Sequence, residues 1–254
     1  MKLPGLEGRR ILVTGGSRGI GRETASLLGE CGALVGISYR SARDDAHQAM
    51  EAAKAAGAPA AWCESGDLSR EADVARLFQR VDHEFGGLDG LVANAGVWNA
   101  DATPISRLEP AQWREMIEVN LTSIYLTARA AVARMEKGGR VVLLSSTAGQ
   151  RGEAEHSHYA ASKGATISFC KSLATELGPR GITVNSVAPG WVDTDMSASV
   201  LRTEARAAVE REIPLRRVAT ARDVAGPICF LLSDLARHIT GEVLNVNGGS
   251  VLCG

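Results

Sequence analysis

Seven short apolar runs, at residues 10–13, 33–39, 60–63, 88–93, 140–145, 182–187 and 242–246, recur along the chain between longer segments of helical period. The runs are apolar on both faces, which is the condition of strands in a parallel sheet covered by helices on each side. The segments between them, 19–31, 42–56, 70–85, 110–137, 157–177 and 222–233, are each long enough for a right-handed crossover. The alternation predicts an α/β fold: one domain, 1–254, a doubly wound parallel sheet of Rossmann type with about seven strands and helices on both faces. No repeat and no Pro/Gly/Ser-rich linker divides it.

One stretch breaks the rhythm. Beyond Pro189-Gly190, residues 191–214 delay the next clear helix, with Met196, Val200, Leu201 and Val209 spaced as in a short amphipathic helix. Ligands of open α/β sheets bind beyond the carboxyl ends of the strands, so this insertion is expected to form a substrate lid.

Composition narrows the function. Aromatics are 4% of residues against 45% hydrophobic, so the core is built from Ala, Val, Leu and Ile. A net charge of −1 without a basic run leaves no electrostatic footprint for nucleic acid. No apolar stretch approaches the roughly 20 residues of a spanning helix, and residues 1–10 carry no apolar signal core, so neither membrane insertion nor export is expected. Cys31, Cys63, Cys170, Cys229 and Cys253 are odd in number and scattered, with no C-x-x-C pair. That argues against a disulfide framework and a structural zinc, and fits a reducing cytoplasm.

Directly after the first strand, Thr14-Gly15-Gly16-Ser17-Arg18-Gly19-Ile20-Gly21 opens a helix. Glycines permit a tight turn and close backbone approach, and the exposed N–H groups of a helix start suit a pyrophosphate. The spacing is G-x-x-x-G-x-G. Further on, Tyr159 and Lys163 lie four residues apart on a predicted helix and so share one face. A phenol with a pKa near 10 transfers protons poorly at neutral pH, and an ammonium at about 4 Å is expected to lower it enough for general acid–base work.

With this glycine spacing and Tyr-x-x-x-Lys, the chain resembles the short-chain dehydrogenase/reductase family over almost its whole length. The resemblance includes Asp67, Ala93-Asn94-Ala95-Gly96, Asn120, Ser146, Pro189-Gly190 with Thr194, Ile239-Thr240-Gly241 and Gly248-Gly249. Ala93 and Asn247 depart mildly from the family pattern. The resemblance implies that Gly15, Ser17, Arg18, Gly19, Ile20 and Gly21 cradle a dinucleotide. It implies that Asp67 with Leu68 hold the adenine, that Asn94 with Ala95 and Gly96 brace the adenosine ribose, and that Pro189, Gly190, Val192 and Thr194 line the nicotinamide. Tyr159 is then the proton donor or acceptor and Ser146, thirteen residues before it, bonds the substrate oxygen; the neighbouring Ser145 matches a variable position. Lys163 holds the nicotinamide ribose hydroxyls, and Asn120 holds a water linking Lys163 to solvent.

NAD-dependent members carry a carboxylate at the end of the second strand. Here Tyr39, Arg40 and Ser41 stand there, with Arg18 nearby in the glycine loop, so two guanidinium groups and a hydroxyl can take a 2′-phosphate. NADP(H) is therefore expected, with NAD(H) as the lesser option. The activity implied is hydride transfer to a carbonyl or from an alcohol, most similar to 3-oxoacyl-carrier-protein reductases. An NAD-dependent sugar or polyol dehydrogenase and a non-catalytic NADP-binding sensor are the alternatives. Basic side chains in 137–140 and 178–181 are expected to dock an acidic carrier protein. A homotetramer is implied too, with Ala161, Ala165, Ser168 and Ser172 giving one helix a small-residue side.

Glu153, His156 and His158 could offer metal ligands, but precede Tyr159 closely and read as a polar pocket wall; no metal is expected. Trp98 and Trp191 flank the nicotinamide end, either stacking on substrate or packing internally. His47, His83 and His238 are expected to be solvated.

Overall fold

In the computed structural model, residues 2–252 are described; Cys253 lies outside the described residues. β1 (Arg10–Thr14) leads to α1 (Gly19–Glu30), β2 (Leu34–Tyr39) to α2 (Arg43–Ala56), and β3 (Ala61–Ser65) to α3 (Glu71–Phe85). β4 (Gly90–Ala93) is followed by α4 (Pro110–Ile117) and α5 (Ser123–Val132), then β5 (Arg140–Leu144), α6 (Thr147–Arg151) and α7 (Ser157–Leu177). The chain continues through β6 (Thr183–Pro189), β7 (Val192–Asp193), α8 (Ala198–Leu201), α9 (Ala205–Glu212), β8 (Ala219–Thr220), α10 (Ala221–Leu232) and β9 (Val243–Val246).

The seven anticipated strands form one sheet in the order β3-β2-β1-β4-β5-β6-β9. Every pair is parallel, with Ile11 opposite Val35 on one side and Gly90 on the other. Alternation along β1 sorts the core. Ile11 and Val13 join the cluster that α1, α2 and α10 cover through Leu28, Ala49 and Ile228. Leu12 points to the opposite face, against Phe78, Ile124 and Cys170 of α3, α5 and α7. Both clusters are closed to water, which is why the strands carry apolar residues on both faces. The strand order reverses between β1 and β4, and a crevice opens there at the carboxyl edge.

Two elements differ from the sequence expectation. The segment 110–137 is not one helix: a π turn, Glu118–Thr122, interrupts it between α4 and α5. Periodicity cannot show one inserted residue, and such turns gather at functional positions. This one carries Asn120. The insertion 191–214 holds two short helices, not one. Leu201, Ile213 and Val218 form a small separate core with Trp191 and Val209, while Met196 lies outside a helix and is 47% exposed. His47, His83 and His238 are exposed as expected. Among the described residues no helix is long and apolar enough to cross a membrane.

Candidate active site

Each predicted group reaches the carboxyl edge of the sheet by a local cause. Gly15 has φ +63 and Gly19 φ +55, conformations other residues rarely adopt, and they turn the chain from β1 into α1. Thr14 Oγ1 accepts the backbone N–H groups of Asn94 and Ala95, both at 3.0 Å. Asn94 Nδ2 donates to the carbonyls of Thr14 and Gly15 at 3.0 and 3.1 Å. The Asn94 amide thus fastens the glycine loop to the β4 turn, while the residue still borders the crevice.

The crevice runs in two connected lobes. The first is walled by the glycine loop (Gly15, Ser17, Arg18, Gly19, Ile20), by Tyr39, Arg40 and Ser41 after β2, and by Asp67 and Leu68 after β3. Ala95, Gly96 and Thr194 complete it. The second lobe holds Ser146, Tyr159, Lys163, Pro189, Gly190 and Val192, and shares Ile20, Asn94, Gly96 and Thr194 with the first. Gly21 is behind the wall: a Cβ there would lie 2.4 Å from the Gly15 carbonyl oxygen and 2.9 Å from Gly16 Cα. Gly21→Ala is therefore expected to displace the loop and weaken dinucleotide binding by roughly tenfold or more in a fluorescence titration.

Ser38 was missed by the sequence reading because it lies within a strand. It is 1% exposed, borders the first lobe, and its Oγ has no hydrogen-bond partner. A buried hydroxyl left unpaired costs free energy, so this one fits a polar ligand in the lobe. Beside it, the Asp67 carboxyl is held below its usual range, chiefly by the Ser69 hydroxyl, with Arg40 and Arg70 adding. The cleft, the glycine turn and this orphan hydroxyl together fit an extended dinucleotide.

In the second lobe, Ser146 caps α6, accepting the Ala148 N–H at 3.1 Å. Its rival Ser145 is buried, donates to the Val187 carbonyl at 3.0 Å and accepts from Ser186 at 2.7 Å, so it faces the sheet. A Cβ on Gly149 would lie 2.5 Å from the Lys163 carbonyl carbon. That glycine lets α6 rest on α7, which sets Ser146 opposite Tyr159. Neither α6 nor Gly149 was visible in the sequence pattern, since a five-residue helix carries no period.

The Tyr159–Lys163 electrostatics differ from the expectation. The Lys163 ammonium lies 5.8 Å from the Tyr159 ring centroid and donates to the Leu144 carbonyl at 2.9 Å. Burial, with Glu153 adding, pushes the phenol above its ordinary range, and the Ser146 hydroxyl counters it. Lys163 is 5% exposed, and burial pulls its ammonium down to about 8. Desolvation, which spacing does not reveal, outweighs the attraction assumed for the pair.

Asn120 Oδ1 accepts from Val97 N and its Nδ2 donates to Val97 O, both at 2.8 Å. The amide therefore anchors the loop after β4. A Cβ on Gly96 would lie 3.1 Å from Asn120 Oδ1 and 3.4 Å from Lys163 Nζ, so both groups border the space this glycine leaves open.

In the segments expected to dock a carrier protein, Lys137 and Arg180 are exposed and Arg140 is buried. Arg140 begins β5 and Arg180 precedes β6, at the amino edge of the sheet, roughly 20 Å of strand from the crevice. Arg140 is 7% exposed and donates to the carbonyls of Gly138 and Gly139. Arg180 donates to the carbonyls of Val132 and Met135. Both guanidinium groups serve the turns that enter the sheet. Glu153 does line the second lobe, paired with Arg151 at 3.2 Å. Among the described residues no three His, Cys, Asp or Glu side chains gather as a metal site.

A parallel sheet with a glycine turn at its switch point, opening into a lobe with a tyrosine and a lysine, defines a dinucleotide-dependent oxidoreductase. A family model described as Enoyl-(Acyl carrier protein) reductase matches residues 15–250. The chain is 39% identical over 246 residues to the 3-oxoacyl-[acyl-carrier-protein] reductase FabG of Vibrio cholerae, covering 96% of this chain and 98% of that protein. It is 37% identical over 245 residues to the FabG of Escherichia coli, covering 96% and 97%. A crystal structure of a short-chain dehydrogenase/reductase, glucose/ribitol dehydrogenase, from Brucella melitensis superposes with a TM-score of 0.91 at 31% identity over the whole of both chains. The promiscuous reductase LugOII, which catalyses keto-reduction at C1 during lugdunomycin biosynthesis, gives 0.91 at 34% identity, covering 97% of this chain and 99% of that one. The chain belongs to the short-chain dehydrogenase/reductase family and is an NAD(P)-dependent oxidoreductase.

Proposed function

We propose that this chain is an NADP(H)-dependent carbonyl reductase in which Asn120, Ser146, Tyr159 and Lys163 carry the chemistry. The observation that carries it is the second lobe, which gathers Ser146 from the start of α6 with Tyr159 and Lys163 from α7. When bound, the nicotinamide supplies the hydride that reaches the carbonyl carbon. Tyr159 gives its phenolic proton to the carbonyl oxygen, and its raised pKa keeps that proton in place at neutral pH. Ser146 donates to the same oxygen and holds it toward Tyr159. Lys163 binds the ribose hydroxyls, and with Asn120 at the Gly96 opening it returns a proton to the tyrosine. In the oxidative direction the phenolate is the base. The relatives' names make a 3-oxoacyl thioester the first substrate to assay. Residues 191–214 act as the lid, the protein works in the cytoplasm, and the exposed Ala161, Ser168 and Ser172 on α7 support a homotetramer.

NADP(H) is favoured because the end of β2 presents Tyr39 and exposed Arg40 where a carboxylate would repel a 2′-phosphate, with exposed Arg18 across the lobe. Charge-assisted hydrogen bonds to the phosphate are expected to give NADPH roughly tenfold or greater advantage in kcat/KM over NADH. Tyr39→Asp with Arg40→Leu is expected to reverse that order. Steady-state assays with both cofactors decide it: equal or better wild-type kcat/KM with NADH sinks the NADP(H) assignment.

A further inference from the structure

Two indoles wall the lobe beside Tyr159, and hydride transfer itself needs neither. Trp98 follows β4 and Trp191 follows β6; their ring planes meet at 87°, with centroids 5.7 Å apart. Both line the same lobe as Tyr159 and Ser146. In a chain with 4% aromatic residues, three such residues on one small lobe is a concentration the core does not explain.

Each indole is braced. The His156 ring stacks on Trp98 at 5.4 Å and 24°. His156 is 9% exposed, and its Nε2 has no hydrogen-bond partner. The imidazole Nδ1 lies 3.2 Å from the Ala154 carbonyl oxygen, so the ring is held by its own loop with its flat face against Trp98. Trp191 packs on Leu201, Ile213 and Val218, the small core of the lid segment. Braced in this way, the two planes keep their right angle, and no reorganisation is needed when a ligand enters.

Two aromatic planes at a right angle make a corner. A flat ring laid against one wall meets the other edge-on, so it makes both favoured aromatic geometries at once. A flexible aliphatic chain gains contact area there but neither geometry, and it loses rotamer freedom. We infer that Trp98 and Trp191 select a planar aromatic carbonyl substrate, its ring seated in the corner and its carbonyl oxygen directed to Tyr159 and Ser146. This rests on the carbonyl-reductase reading above and narrows its substrate class to carbonyl compounds that carry an aromatic ring, in preference to straight-chain 3-oxoacyl thioesters.

The test compares 2-tetralone with trans-2-decalone. They share a bicyclic skeleton and an unconjugated ketone, and differ in whether one ring has a π face. In wild type, kcat/KM with NADPH is expected to favour the tetralone by about tenfold or more. That ratio is expected to fall below about threefold in Trp98→Leu and to recover in Trp98→Phe, which keeps a ring. Calorimetric titration of the NADP⁺-loaded protein with 2-tetralone and trans-2-decalone, a pairing in which both partners are already oxidised, reads the same preference without turnover. Preferential tetralone binding to the NADP⁺-loaded protein with no NADPH-dependent turnover of either ketone overturns the reductase reading and keeps the corner. A wild-type ratio near one in both measurements, or a ratio that survives Trp98→Leu, overturns the corner.

Discussion

Tyr159→Phe is expected to lower the rate of carbonyl reduction by roughly 10²–10⁴-fold, the range lost when a positioned proton donor is removed. The substitution deletes one oxygen and keeps the ring beneath the lobe, so fold and cofactor affinity are expected to stay near wild type. The kcat term carries the loss, since a group acting only in the transition state contributes little to ground-state binding. Because burial raises the phenol's pKa, reduction retains its donor through neutral pH, while oxidation, which needs the phenolate, accelerates as pH rises. Reduction within tenfold of wild type would move the proton-transfer role to another group.

Lys163→Met is expected to act in opposite directions on activity and stability. Burial brings the ammonium from its ordinary value of 10.5 down to about 8, so the folded state disfavours the charged form. The unfolded chain then holds more protons between those values, and this group makes the free protein more stable as pH rises through that window. At pH 7 the buried charge costs on the order of 3 kcal/mol. Methionine removes that cost but gives up the hydrogen bond to the Leu144 carbonyl, leaving a net gain of roughly 1–2 kcal/mol, or a few degrees in Tm. The gain is expected to vanish above about pH 10, while reduction falls at least about 100-fold because the ribose hydroxyls and the proton relay lose their cation. Thermal melts of the cofactor-free proteins at pH 7 and 10 check the stability arm, and a lower Tm for the variant at pH 7 would sink it. In wild type, cofactor affinity is expected to weaken as pH passes about 8, where Lys163 loses its charge.

Much of this site was legible along the chain because its signals are local. Gly15 to Gly21 announce a turn into a helix, and Tyr159 with Lys163 announce a shared helical face; both follow from residue spacing and the geometry of one element. The family resemblance then brought in Ser146 and Asn120, whose chain positions alone do not mark them. Arg140 shows the limit. A basic residue beside two glycines looks available in sequence, but the turn into β5 folds its guanidinium back onto the Gly138 and Gly139 carbonyls.

The sequence by itself determined the parallel sheet, its buried strands and the end of the sheet at which the crevice opens, because apolar period and glycine placement act within single elements. Tertiary structure decided what those elements present to one another. Gly149 seats α6 on α7, Val97 occupies the Asn120 amide, and Ser38 is left without a partner in the first lobe. The loops after β4 and β6 bring Trp98 and Trp191 to a right angle across 93 positions of sequence. Desolvation at Tyr159 and Lys163 belongs to the same level, since it depends on how much of the whole molecule surrounds a group, and no spacing along the chain measures that.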